Sequence, residues 1–78
     1  TQRGPSSSGQ QYEVLTQREI DVIRFAAHGM TNREIGHELH ISHRTVQGHL
    51  ANIYIKLNAN SRTEAVTEAL KRGWIVIN

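Results

Sequence analysis

The sequence predicts an all-α domain of four helices, the second and third joined as a helix-turn-helix. Three observations carry this. First, the pattern S/T-x-x-E occurs three times, as Thr16-Gln17-Arg18-Glu19, Thr31-Asn32-Arg33-Glu34 and Ser61-Arg62-Thr63-Glu64. In such a capping box the hydroxyl accepts from the amide three residues on, and the carboxylate reaches back to the cap amide, so each box marks a helix start. Second, the apolar residues after each box recur at spacings of three and four, the helical period, and do not alternate as in a strand. Third, neither a strand-like run nor a repeat of fixed period is present.

The elements follow in order. Residues 1–13 open with TQRGPSSSGQQ, which is Ser-, Gly- and Gln-rich with a lone Pro. That composition suits a linker, or in part an expression remnant, and places the folded domain at residues 14–78. Thr16 caps a first helix to about His28. Ile20, Ile23 and Ala27 are expected inward, with Val22, Phe25 and Ala26 widening the face. Gly29 is the stop, and Met30 plugs the corner. Thr31 caps a second helix from about Asn32 to Leu39, with Ile35 and Leu39 on its inner face. The segment His40-Ile41-Ser42 interrupts it, and Ser42 is a good cap for the next helix. From His43 to Leu57 the residues Val46, Leu50, Ile53 and Leu57 form one stripe. A helix of some seven residues, a short turn and a longer helix is the helix-turn-helix outline, here at about residues 32–51. After the loop Asn58-Ala59-Asn60, Ser61 caps a last helix to about Arg72, with Ala65, Val66, Ala69 and Leu70 apolar. Lys71 and Arg72 sit at its negative end and Gly73 ends it. Trp74, Ile75 and Ile77 are expected to fold back onto the bundle.

Composition narrows the function. Seventy-eight residues make one small domain with a modest core. There is no Cys, which excludes disulfides and a cysteine-zinc finger. No apolar run is long enough for a membrane span, and no signal-peptide pattern stands at the start. The first residue is not Met, which suggests a piece of a longer chain. Five histidines raise the question of metal, and His37, His40 and His43 cluster near the turn. A zinc site needs three or four ligands with supporting partners, and no metal is expected. No carboxylate pairs with a nucleophile, and no Gly-rich phosphate loop occurs. Ser42 and Thr45 read as cap and backbone contact, so no catalytic residue and no cofactor is expected.

The charge pattern is more specific than the net charge of +2. No Asp or Glu lies between Glu38 and Glu64, whereas Arg44, Lys56 and Arg62 do. The outer face of the third helix would carry Arg44, Thr45, Gln47, Gly48, His49, Ala51, Asn52 and Lys56. Donors and small residues without acids suit a phosphate-rich surface. Gly48 costs a helix about 1 kcal/mol against Ala. It makes sense where something large approaches the backbone. Together these features point to a helix that lies in the major groove of double-stranded DNA. Gln47 is the best base reader, since a carboxamide pairs bidentately with adenine N6 and N7. Gly48 and Ala51 would permit close approach, Ala51 against a thymine methyl. Arg44 would reach a guanine or a phosphate.

These segments resemble the LuxR-type (GerE-type) helix-turn-helix family, most of all the output domains of NarL/FixJ response regulators. The resemblance is carried by LTQREIDVI from Leu15, GMTNREIGHEL from Gly29, ISHRTVQGHLANIYIKL from Ile41 and SRTEAVTEALKRGWI from Ser61. It covers nearly everything after Val14. It departs at His40, where many members have Gly in the turn; a left-handed backbone is expected there, which His tolerates better than most residues. It departs also at Gln47, Gly48 and Ala51, where some members place Lys, which bears on the target sequence and not on the binding mode.

The resemblance implies sequence-specific DNA binding in transcription regulation. It implies phosphate contacts from Thr31, Asn32, Arg33, Thr45, His49, Asn52 and Lys56, those at the second helix aided by its positive end. It implies a homodimer on DNA through the last helix, with Ala65, Glu68, Ala69 and Arg72 as interface candidates. It further implies an upstream receiver-like domain, RNA polymerase as a further partner, and a bacterial cytoplasmic setting. Two other readings of the same face remain: the output domain of a different LuxR-type regulator, such as a ligand-sensing one, and a helical module that docks an acidic protein. A sigma-factor region-four-like domain is disfavoured by the SRTEA segment.

Overall fold

A computed structural model describes residues 14–77. It contains four helices: α1 (Gln17–Ala27), α2 (Asn32–Leu39), α3 (His43–Leu57) and α4 (Arg62–Lys71). No strand occurs among the described residues. The expected linker, residues 1–13, lies outside them.

The caps form as local chemistry dictates, with one exception. Thr16 and Thr31 each make the full reciprocal box with Glu19 and Glu34. Ser61 accepts from the Glu64 amide at 3.1 Å, but Glu64 Oε1 accepts from the Asn60 amide at 2.7 Å and not from Ser61. The third box is therefore displaced by one residue at its carboxylate end, where the loop offers a better-placed donor. At the other ends, His40 closes α2 with φ 60° and ψ 41°, and Asn58 closes α3 with φ 55° and ψ 45°. His and Asn are among the few non-glycine residues that adopt this left-handed conformation. In each case the next amide returns to the helix: Ile41 N–H donates to Gly36 O and Ala59 N–H to Tyr54 O.

The core lies between α1, α3 and α4, with α2 packed on α3. Val22, Ile23, Ile35, Val46, Ile53, Leu57, Ala65 and Ala69 are fully buried. The α3 stripe is as expected. The α1 face is rotated: Val22, Ile23 and Ala26 are buried, with Glu19 in the same row, while Ile20, Phe25 and Ala27 are half-buried at its edges. The spacing 19, 22, 23, 26 is itself a helical stripe, and Glu19 at its start pairs with Lys56 of α3. Ile75 and Trp74 fold back as expected. Ile77 does not, remaining about half exposed.

Candidate nucleic-acid interface

The geometry of the turn between α2 and α3 decides where α3 points. Gly36 sits on the inner side of α2, and a Cβ added there would lie 2.5 Å from the Ile41 carbonyl oxygen and 3.3 Å from the His43 nitrogen. Only a bare Cα lets the turn and the start of α3 close onto α2. Ser42 then caps α3, its hydroxyl accepting from the Thr45 amide at 3.1 Å and lying 3.0 Å from the Thr45 hydroxyl. Nothing in the apolar pattern singled out Gly36. Its one signal was a helix-disfavouring residue in the middle of an eight-residue helix.

With the core stripe inward, α3 presents Arg44, Thr45, Gln47, Gly48, Ala51 and Asn52 to solvent, with His49 half-buried at the edge. All four candidate base readers, Arg44, Gln47, Gly48 and Ala51, thus share one outward face. A Cβ at Gly48 would meet nothing within 4 Å, so the protein itself does not require the glycine. Gly48→Ala should therefore stabilise the free domain by up to about 1 kcal/mol. Gly48→Leu should fold normally but bind DNA weakly. Thermal melts and DNA titrations of both variants check this; normal DNA binding by Gly48→Leu would make the glycine incidental.

The second part of the face is the start of α2. Thr31 and Arg33 are exposed there, and Asn32 is half-buried. Arg62, from the first turn of α4, crosses over to this point. Its guanidinium donates to Asn32 Oδ1 at 3.0 Å and to the Met30 carbonyl. The bond fixes the Asn32 amide with its NH2 group left to donate. Gly29, Met30, Thr31, Asn32, Arg33 and Arg62 together line an open depression. Arg62 thus serves as a strut, a role its place in the acid-free stretch did not reveal.

Lys56, a phosphate candidate, has a partner within the chain: its ammonium lies 2.7 Å from Glu19 Oε1, and the two side chains are 23% and 5% exposed. Burial of Glu19 by itself raises its pKa, but the Lys56 bond and charge and the Thr16 amide outweigh this and hold the carboxyl below its ordinary value of 4.5. Lys56 therefore ties α3 to α1. One expectation about α4 requires correction. Ala65 and Ala69 are fully buried in this chain's own core, where small side chains let α4 approach α1 and α3. They offer no surface to a second copy. Glu68 is half-buried and pairs with Lys71 at 3.6 Å and with the cap residue Arg72 at 3.2 Å. Arg72 also reaches the Leu57 carbonyl at 3.3 Å. The exposed residues of α4 are Thr63, Glu64, Thr67, Leu70 and Lys71. Among the described residues no cluster of His, Cys, Asp or Glu could hold a metal ion, and no helix is long and apolar enough to cross a membrane.

This arrangement is shared with known proteins. Residues 13–69 match the family described as bacterial regulatory proteins, luxR family. The chain is 45% identical over 64 residues to the transcriptional regulatory protein DegU of Brevibacillus brevis, covering 82% of this chain and 27% of that protein. The structure of the transcription factor GerE superposes with a TM-score of 0.77 at 31% identity, covering 80% of this chain and 92% of that one. The response regulator ChrA of a haem-sensing two-component system gives a TM-score of 0.77 at 35% identity, over 92% of this chain and 33% of that one. The chain thus spans about a quarter to a third of the length of DegU and ChrA. With four helices among its described residues, its helix-turn-helix and this match over most of its length, the chain belongs to the LuxR family of bacterial regulatory proteins.

Proposed function

We propose that this chain binds double-stranded DNA at preferred sequences to regulate transcription, as the output domain of a response regulator with a receiver domain upstream. The observation that carries the DNA reading is the outward face of α3: exposed, free of acids along its whole length, and small at Gly48 and Ala51. In this reading α3 lies along the major groove, with its N-terminal half deepest. Gln47 pairs with an adenine, and Arg44 reaches a guanine or a phosphate. Thr31, Asn32, Arg33, Thr45, His49 and Asn52 grip the phosphates that flank the groove. Lys56 contributes by holding α3 in place.

Selection of bound sequences from a random duplex pool tests this directly. Binding should weaken steeply with salt and keep a preferred sequence at moderate salt. Gln47→Ala should cost about 1–3 kcal/mol on the selected site and leave non-specific binding nearly unchanged. An equal loss on every sequence would remove Gln47 from the base readers. A helical module for an acidic protein would show no sequence preference at all.

The receiver is supported by the likeness to ChrA, a response regulator about three times the length of this chain. A ligand-sensing upstream domain is the alternative, and the sequence of the full gene decides between them. Dimerisation on DNA is supported by the outer side of α4, where Leu70 is 37% exposed beside Thr63 and Thr67. One side of a ten-residue helix is smaller than the ~800 Å² per partner of a standard stable interface. The free domain should therefore be a monomer or a weak dimer at micromolar concentration. Two half-sites about 10 base pairs apart would bring two copies together at high effective concentration. Insertion of half a turn of DNA between them should abolish cooperative binding, as followed by gel shift or sedimentation. Cooperativity indifferent to spacing would argue against this interface. Contact with RNA polymerase belongs to the same proposal.

A further inference from the structure

Resting on the DNA reading above, we infer that Ile55 is a further specificity residue, which packs against the C5-methyl group of a thymine in the major groove. Ile55 is 72% exposed, the most exposed of the large apolar side chains among the described residues. Single exposed apolar residues are ordinary on protein surfaces and need no explanation by themselves. What distinguishes this one is its register. Arg44, Gly48, Ala51 and Ile55 are spaced by four, three and four residues, which puts them on one line along α3. The buried stripe of Val46, Leu50, Ile53 and Leu57 occupies the opposite side. Ile55 is therefore central on the face that would meet DNA, not at its edge.

The chemistry of that line narrows what it can read. After Arg44 it carries no charge and no hydrogen-bonding side chain. It is bare at Gly48, holds one methyl at Ala51 and ends in the branched side chain of Ile55. Gly48 and Ala51 let the helix settle deeply, and that brings Ile55 down onto the groove. The one apolar group that bases display in the major groove is the thymine methyl. An isoleucine there gains by covering that methyl and is left facing polar edges by any base pair without one. Ile55 lies about 12 Å along the helix from Gln47. At about 3.4 Å per base pair, the thymine should fall about three to four base pairs from the one that Gln47 reads.

The test uses this chain, its Ile55→Ala variant and the duplex selected from the random pool. Ile55 lies outside the buried core, so the variant should melt close to the parent. The parent should select thymine at a position about three to four base pairs from the one whose preference Gln47→Ala erases. Ile55→Ala should lose the preference at that position alone. Replacing that thymidine by deoxyuridine removes only the methyl. It should weaken the parent about fourfold, as expected for one buried methyl group, and leave Ile55→Ala unaffected. An equal penalty in both proteins, or no thymine enrichment at that distance while the Gln47 position keeps its preference, overturns this inference and leaves the DNA reading standing. A parent chain with no sequence preference anywhere overturns both.

Discussion

Lys56→Ala should destabilise the domain by about 3 kcal/mol, a large share of the stability of a chain this small. The reason is the carboxylate left behind. Glu19 is only 4% exposed, and without the ammonium at 2.7 Å it keeps just the Thr16 amide as a strong partner. Removing one member of a buried pair strands the other charge, which costs more than the pair itself contributes. Urea unfolding at pH 7 measures the loss; unchanged stability would mean that the ion pair is idle. A pH series gives a second reading. The folded Glu19 carboxyl titrates below its ordinary 4.5, so its contribution is fully present above that value and lost as pH falls through the folded pKa. In Lys56→Ala burial is opposed only by Thr16, and this acid-side loss should shrink. DNA affinity should fall because less protein is folded. The salt slope should stay as it was, whereas the loss of a phosphate contact would reduce it by about one.

The contrast between α3 and α4 shows what the sequence discloses. The ends of α2 and α3 were legible to the residue, because Thr31, Ser42 and the left-handed residues that close each helix act through neighbours a few positions away. The outward face of α3 was legible for the same reason, since the core stripe defines it. Partners distant in the chain were not. Lys56 looks like any cation on an acid-free helix until Glu19, 37 residues earlier, is found beside it. Glu19 of the same pair lies on the buried row of α1, with Val22, Ile23 and Ala26. In α4, Ala65 and Ala69 do permit close helix approach, but the pattern cannot say whether the approaching helix belongs to this chain or to a second copy. Burial settles it for this chain. Arg62 is the same kind of case, with partners 30 and 32 residues away.

Gly36→Ala should cost about 3 kcal/mol, although a helix position normally gains nearly 1 kcal/mol from that change. Two effects compete. Alanine stiffens α2 and favours it. Its methyl, however, would sit 2.5 Å from the Ile41 carbonyl oxygen, far inside contact distance, and the obstacle is backbone that cannot rotate aside. The Ile41 amide donates to the Gly36 carbonyl at 2.9 Å, so the turn is tied to the residue that would push it away. Steric cost should win, either by unfolding or by moving the start of α3 off α2. The second outcome makes the test informative about function. A shift of an ångström at Ser42 and His43 carries Arg44 and Gln47 with it, while Thr31, Asn32 and Arg33 stay where they are. Gly36→Ala should therefore lose sequence preference before it loses affinity for DNA in general, and Gly36→Val should not fold. Denaturation and binding to selected and unrelated duplexes, compared at temperatures where the variant is folded, separate the two effects. Full stability with intact specificity in Gly36→Ala would show that the turn has room that this geometry denies it.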